Sequence, residues 1–146
     1  MKLSLLLWLG SVLPQPHADQ VCLATTVYLE SRDQPLRGQQ AVAEVVLRRV
    51  ERGSWGNDVC AVVTQRKQFA PAYTSPDFRL SNQIAWDRAW KVAADTREEW
   101  QRPLRERLLV VPGADHFYAF NLVRPSWSGG HEVAKIGGHS FLRLAN

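Results

Sequence analysis

The stretch ATTVYLESRDQP, residues 24–35, places a single carboxylate at the end of an apolar helix. Its apolar residues recur at helical spacing, with Val27 and Tyr28 following Ala24, so the pattern predicts a helix. Glu30 comes directly before the polar run 31–35, whose composition predicts a turn. A carboxyl group at a helix end, half enclosed by apolar packing, has its pKa raised by desolvation. Such a group can hold a proton near neutral pH, so Glu30 is the candidate general acid.

The alternative is that Glu30 is an ordinary exposed charge at a helix end. Most glutamates are solvated surface groups, so the local pattern taken alone favours this alternative. A catalytic role therefore depends on features elsewhere in the chain.

Length and composition predict one domain with a real hydrophobic core. The chain has 146 residues, of which 45% are hydrophobic and 10% aromatic, which excludes wholesale disorder. The formal charge of +4 is compatible with an anionic partner such as nucleic acid, a membrane surface or a bacterial wall. The positive charges are scattered and no aromatic-and-glycine signature accompanies them, so we expect no nucleic-acid partner. We expect the protein to be a monomer.

The first 18 residues have the composition of an export signal. A basic start, Met1-Lys2, precedes the apolar residues 3–13. As a helix this segment would reach only ~17 Å, against a hydrocarbon layer of ~30 Å, so we expect no stable membrane span. The alternatives are a transient signal anchor and a first core helix, although Pro14 and Pro16 break the chain directly afterwards. The sequence thus predicts an export signal at 1–18, one folded domain at 19–146, and a location in the periplasm, outside the cell or in the wall.

Export also bears on the two cysteines, Cys22 and Cys60. An even pair in an oxidising compartment predicts a disulfide, which would stabilise the fold by roughly 3–4 kcal/mol on the chain-entropy model. It would tie the start of the Glu30 helix to a later element. The alternatives are two buried thiols and, least favoured, a catalytic cysteine.

The remaining pattern predicts helices first and strands last, which is an α+β arrangement. We expect helices over residues 39–51 and 59–64, and a third that is capped by Ser81 or Asn82 and ends near residue 100. Strands are expected over residues 108–111, 116–121 and 140–144. In the first of these helices Arg48 and Arg49 are expected mostly outside the apolar stripe, and Glu44 is expected to be structural. Gly53 is expected to end that helix.

Three separated blocks, in the right order, resemble the SleB-type cell wall hydrolases. They lie at residues 22–50, 58–69 and 116–141 and include Tyr28-Leu29-Glu30, Gln68-Phe69, His116-Phe117-Tyr118 and Gly137-Gly138-His139. The sequence departs from the family where members carry Glu-Ala-Arg-Gly and Leu-Asn-Arg-Val. Here those positions read Glu30-Ser31-Arg32-Asp33 and Leu47-Arg48-Arg49-Val50.

The resemblance implies that residues 19–146 form a catalytic domain with a lysozyme-like fold, mainly helical in its N-terminal part with a small C-terminal β-sheet. It also implies a peptidoglycan hydrolase that acts as a lytic transglycosylase, cutting between N-acetylmuramic acid and N-acetylglucosamine, with Glu30 as the catalytic acid and base. No cofactor and no metal are expected. We predict that Gln68, Tyr118 and Asn121 orient sugar groups and that Phe69 and Trp127 offer flat faces to the pyranose rings.

Two other classes of function stay open. A zinc-dependent N-acetylmuramoyl-L-alanine amidase could draw its ligands from the histidines and nearby carboxylates, namely His116, His131 and His139 with Glu132 or Asp115. No His-Glu-x-x-His spacing occurs, and His139 is expected to fix a strand. A non-catalytic wall-binding module would explain the charge and the aromatics but not the Glu30 block. A bacterial remodelling enzyme and a phage lysin fit the sequence equally well.

Overall fold

The computed structural model describes residues 1–144, in which six α-helices precede a three-stranded sheet. The helices are α1 (Leu3–Val12), α2 (Gln15–Ser31), α3 (Leu36–Arg52), α4 (Val59–Val63), α5 (Ala70–Tyr73) and α6 (Gln83–Trp100), and a short 3₁₀ helix covers Leu104–Glu106. The strands are β1 (His116–Ala119), β2 (His131–Ile136) and β3 (His139–Arg143). The sheet is antiparallel with β3 in its centre. The predicted α+β class is confirmed.

Helix α2 runs through the middle of the helical part and contacts α1, α3, α4, α5 and α6. It is buried nearly all round from Gln20 to Tyr28, as expected of a helix enclosed by others. Two buried threonines fit there because their hydroxyls donate to backbone carbonyls one turn back, Thr25 to Val21 and Thr26 to Cys22. The helix is therefore fixed on every side before it reaches Glu30.

Helix α3 begins at Leu36, three residues before the predicted start, and ends as predicted at Gly53. Gly53 has a φ of 78°, the left-handed conformation that glycine adopts most easily at a helix end. The placement predicted for the arginines is wrong: Arg48 and Arg49 are only 5% and 4% exposed. Burial is tolerated because their guanidinium groups donate to the backbone carbonyls of residues 114 and 115.

Residues 108–111 do not form the predicted strand. The amide groups of Val110 and Val111 donate to the buried carboxylate of Glu44, at 2.7 and 2.9 Å, instead of to a neighbouring strand. Leu108, expected inside, is 76% exposed. Burial raises the pKa of Glu44, while the two amides and Arg48 oppose that rise. Glu44 thus anchors this segment to α3.

The other two predicted strands are present as β1 and β3, whereas β2 was not predicted. β2 is half exposed and follows the Gly129-Gly130 turn. Its sequence, HEVAKI, lacks the strict alternation that marks a half-buried strand. Its pairing with β3 also shifts register between Glu132 and Ala134, which interrupts the pattern further.

The predicted disulfide between Cys22 and Cys60 is confirmed, and it joins α2 to α4. Helix α1 lies against it, with Leu3 and Leu6 in the core at 0% and 2% exposure. The amide of Leu3 donates to Phe78 and that of Leu80 donates to Met1, at 2.8 and 2.7 Å. Residues 1–18 are thus packed into this fold, and their use as an export signal stays a prediction. Within residues 1–144, no helix has both the length and the apolarity that a membrane crossing requires.

The contact between α1 and the disulfide predicts the effect of Gly10→Ala in the chain that begins at Met1. A Cβ at position 10 would lie 2.6 Å from the Cys22 sulfur and 3.1 Å from the Cys60 sulfur. Alanine ordinarily stabilises a helix by about 1 kcal/mol over glycine, but overpacking costs about 1–3 kcal/mol. We expect a net loss in the free energy of unfolding, measured by denaturant titration.

The matched control is Gly129→Ala, where the added methyl group meets nothing within 4 Å. An unchanged or higher stability for Gly10→Ala would contradict this packing of α1.

Candidate active site

Glu30 lies in the last turn of α2, partly exposed at the edge of a cleft. Its Oε1 accepts a hydrogen bond from the amide of Ala70 at 2.6 Å and faces the hydroxyl of Tyr73 at 3.5 Å. Desolvation raises the pKa of this carboxyl group, and the two hydrogen bonds oppose the rise. Glu30 can therefore hold a proton above the usual range and still be stabilised once the proton has left.

Helix α5 supplies both donors because the preceding residue, Phe69, is buried and fixes its start. The first amides of a helix have no partner inside the helix, so the amide of Ala70 is free to bind Glu30. Tyr73 ends the same turn and is 65% exposed. The pKa of Tyr73 is raised to about 12 by burial of its hydroxyl and by the nearby Glu30 carboxylate, so it stays a donor at neutral pH.

Two hollows meet at Glu30. The first hollow, of about 590 Å³, extends over the α2–α3 turn and contains Asp33, Gln34 and Asn121 in its lining. The second hollow, of about 610 Å³, extends over the sheet side. Five residues border both hollows, namely Glu30, Tyr73, Ala119, Leu122 and His139. This geometry suits an extended ligand bound with one bond beside Glu30 and a unit on either side.

The residues predicted to bind substrate all border these hollows. Asn121 borders the first hollow, and Gln68, Phe69, Tyr118 and Trp127 border the second. The Trp127 ring lies 5.0 Å from that of His116 and 5.6 Å from that of Tyr118, in one aromatic wall. Phe69 differs, since it is only 2% exposed and leaves little surface for a sugar. Their roles in binding stay predictions.

Arg49 is a site residue that sequence reasoning missed. Its guanidinium group lies 5.0 Å from the Trp55 ring and 4.9 Å from the Phe69 ring, and donates to Oε1 of Gln68 at 3.1 Å. Burial lowers its pKa to about 10, opposed by Asp115, so it remains charged at neutral pH. Its position four residues after Val45, on the apolar stripe of α3, was the available signal.

The three candidate zinc ligands among the histidines are placed separately. His116 binds Oδ1 of Asp115 through Nδ1 at 2.9 Å, and burial lowers its pKa. His131 is exposed on β2, and His139 is buried on β3. Across residues 1–144, these side chains do not form a group of three potential ligands, and the one such group is Asp19, Asp58 and Cys60. The Cys60 sulfur in that group is already in the disulfide.

Comparison with known proteins gives one family. A family model described as Cell Wall Hydrolase matches residues 33–142. Two spore cortex-lytic enzymes of Bacillus cereus are 29% identical over 139 residues, which cover 92% of this chain. The chain spans about half of their length, at 48%. The family match begins after Glu30, so the role of Glu30 rests on its geometry.

Solved structures give the same result. The catalytic domain of the germination-specific lytic transglycosylase SleB from Bacillus anthracis superposes with a TM-score of 0.70 at 27% identity, over 86% of this chain and 93% of that domain. The catalytic domain of the Bacillus cereus SleB protein superposes with a TM-score of 0.69 at 27% identity, over 86% and 89%. The predicted lysozyme-like, mainly helical fold with a small sheet agrees with these neighbours.

The raised pKa of Glu30 predicts how Glu30→Gln changes stability with pH. A group with a raised native pKa favours folding in its protonated form, and that contribution is lost as the pH rises through the native pKa. Glutamine is neutral throughout and keeps the oxygen that accepts from Ala70. We therefore expect Glu30→Gln to unfold at a higher temperature than the parent protein at pH 7, with a difference that shrinks as the pH falls from the raised native pKa towards the ordinary value of 4.5 and vanishes below it.

Calorimetry between pH 3 and pH 8 checks this, with the exposed Glu98→Gln on α6 as the control. A lower unfolding temperature for Glu30→Gln at pH 7 would show that the carboxylate is stabilised in the native protein.

Proposed function

We propose that this chain, which belongs to the Cell Wall Hydrolase family, is a peptidoglycan-cleaving enzyme that acts as a lytic transglycosylase. The observation that carries the proposal is the partly desolvated carboxyl group of Glu30 at the junction of two hollows. The substrate is the glycan strand of the wall, cut between N-acetylmuramic acid and N-acetylglucosamine. Such a substrate places the enzyme outside the cytoplasm, and we propose export through residues 1–18.

One carboxyl group can perform both steps of this reaction. Glu30 first donates its proton to the glycosidic oxygen, and the bond from the anomeric carbon to that oxygen breaks. The Glu30 carboxylate then takes the proton of the C6 hydroxyl, and the C6 oxygen bonds to the anomeric carbon. The products are a free sugar hydroxyl on one fragment and a 1,6-anhydro ring on the other. The amide of Ala70 and the hydroxyl of Tyr73 stabilise the carboxylate between the steps.

Hydrolysis with two carboxylates is the nearest rival. It needs a second carboxylate as nucleophile or as base for water. Within residues 1–144, Asp33 is the one further acidic residue that borders either hollow, and it is exposed on the turn after α2. The structure therefore supports the single-carboxylate reaction better, and the chemistry of the product ends separates the two.

The second hollow has the features of a sugar subsite. Trp127 and Tyr118 supply aromatic surface, and Gln68 is held by Arg49 beside them. Aromatic faces pack against the apolar faces of pyranose rings, while polar side chains bind the ring substituents. Asn121 would serve the sugar in the first hollow.

The decisive experiment compares Glu30→Gln with the parent protein on purified peptidoglycan. Loss of the acid and base should lower the cleavage rate by at least about 10²-fold. Mass spectrometry of the parent's products should show 1,6-anhydromuramic ends, and excess EDTA should leave the rate unchanged. Glu98→Gln is the control for a charge change on the surface.

The same experiment distinguishes a lytic transglycosylase from an amidase, a hydrolase and a non-catalytic binding module. Freed peptides and loss of activity in EDTA would indicate an amidase, and reducing ends would indicate hydrolysis. A Glu30→Gln protein that cleaves at the parental rate would refute the role of Glu30. Binding to the wall without any cleavage would indicate a binding module.

The aromatic side chains of the second hollow lead to a prediction about the affinity for glycan strands. Trp127→Ala should raise KM for glycan strands about 2- to 10-fold, because burial of about 20–50 Å² of ring surface against a sugar contributes roughly 0.5–1.3 kcal/mol at ~25 cal/mol per Å². Trp127→Phe should retain most of the affinity. Trp8 on α1 is 57% exposed and borders neither hollow, so Trp8→Ala is the control. Equal KM values for Trp127→Ala and the parent protein would show that Trp127 is not part of the binding site.

A further inference from the structure

His139 is a buried polar group that the proposed reaction does not use. It begins β3, is 7% exposed and borders both hollows at their junction. Its ring packs edge-on against Phe117 and Phe141, with centroids 5.2 and 6.0 Å away. Within the described part of the chain, its Nδ1 atom is buried and has no hydrogen-bond partner. Packing alone does not account for a histidine here, because a phenylalanine would fill an aromatic cluster without leaving a polar atom unpaired.

The surroundings fix which nitrogen carries the proton. Burial lowers the pKa of His139, opposed by Asp33, so the ring is neutral at neutral pH. A neutral imidazole has one N–H donor and one bare nitrogen. An unpaired N–H is rarer in protein interiors than an unpaired acceptor, and on that basis we assign the buried Nδ1 as the bare nitrogen. The proton then resides on Nε2, and the accessible part of the ring is the part that borders the hollows.

We propose that His139 is a substrate-binding residue whose Nε2–H donates a hydrogen bond to the acetamido carbonyl of the sugar held at the junction. The inference rests on the proposed function, since it concerns the glycan bound beside Glu30. Both sugars of the strand carry an N-acetyl group, and an amide carbonyl is the strongest neutral acceptor they offer. His139 would thus select N-acetylated over N-deacetylated sugar at the bond that is cut.

The selection has an expected size. A site built to bind a substrate group rejects the analogue that lacks it, because the donor of the site is left unpaired. An unpaired buried donor costs about 1–3 kcal/mol, which corresponds to a ratio of about 5- to 150-fold in kcat/KM. The preference should disappear when the donor is removed.

The test measures kcat/KM on N-acetylated glycan strands and on strands that have been chemically N-deacetylated. The parent protein should prefer the acetylated strands by the stated ratio. His139→Phe keeps an aromatic ring but removes the donor, so it should lose both rate and preference. His139→Gln places an amide nitrogen near the position of Nε2 and should keep much of both. His131→Gln, exposed on β2, controls for the loss of a histidine.

Nitrogen NMR of the parent protein gives a second readout that does not depend on activity. The neutral ring of His139 should show a protonated Nε2 and a bare Nδ1, and an N-acetylglucosamine oligomer should shift the Nε2 resonance. A protonated Nδ1, or a His139→Phe protein that folds and retains the preference, would overturn the inference. If the parent cleaves neither glycan, the proposed function fails, and the NMR result still decides the role of His139.

Discussion

The candidate site depends on the Glu30 carboxyl group, which is partly shielded from water and still hydrogen-bonded. Glu30 occupies the end of a helix that is enclosed by five others, so the group cannot relax away from its apolar surroundings. An amide from α5 and a tyrosine hydroxyl reach it from the other side. Desolvation alone would favour the protonated form only, and hydrogen bonds alone would favour the carboxylate. The proposed role of Glu30, which gives a proton and then takes one, needs the two influences together.

Much of the helical part could be predicted from local pattern. Asp58 caps α4 by accepting from the amide of Ala61, and Asn82 caps α6 by accepting from the amide of Ala85, both of which are local interactions. Glu30 could be placed at the end of α2 because helix and turn signals are both local. The disulfide could be predicted because the chain contains only two cysteines.

What could not be predicted depends on contacts between distant parts of the chain. Residues 108–111 have the composition of a buried strand, yet their amides bind Glu44, 66 and 67 positions earlier. Arg48 and Arg49 donate to the carbonyls of residues 114 and 115. The helical spacing of α3 places Arg49 on the apolar stripe, but it does not identify the distant carbonyls that make burial of the two arginines possible. The same holds for Tyr73 and His139, which border the same two hollows although they lie on α5 and β3, far apart in the chain.

Helix α1 packs against the Cys22–Cys60 disulfide, and this packing affects how easily a reducing agent can reduce it. Thiol–disulfide exchange requires a thiolate to approach a sulfur closely. The backbone of α1 at Gly10 is so near the sulfurs that even a methyl group would crowd them, and Cys22 is only 2% exposed. A reductant therefore reaches the Cys22 sulfur only after the first helix lifts away. Cys60 is only half-buried, so the docking of the N-terminal segment determines which of the two sulfurs a thiolate attacks first.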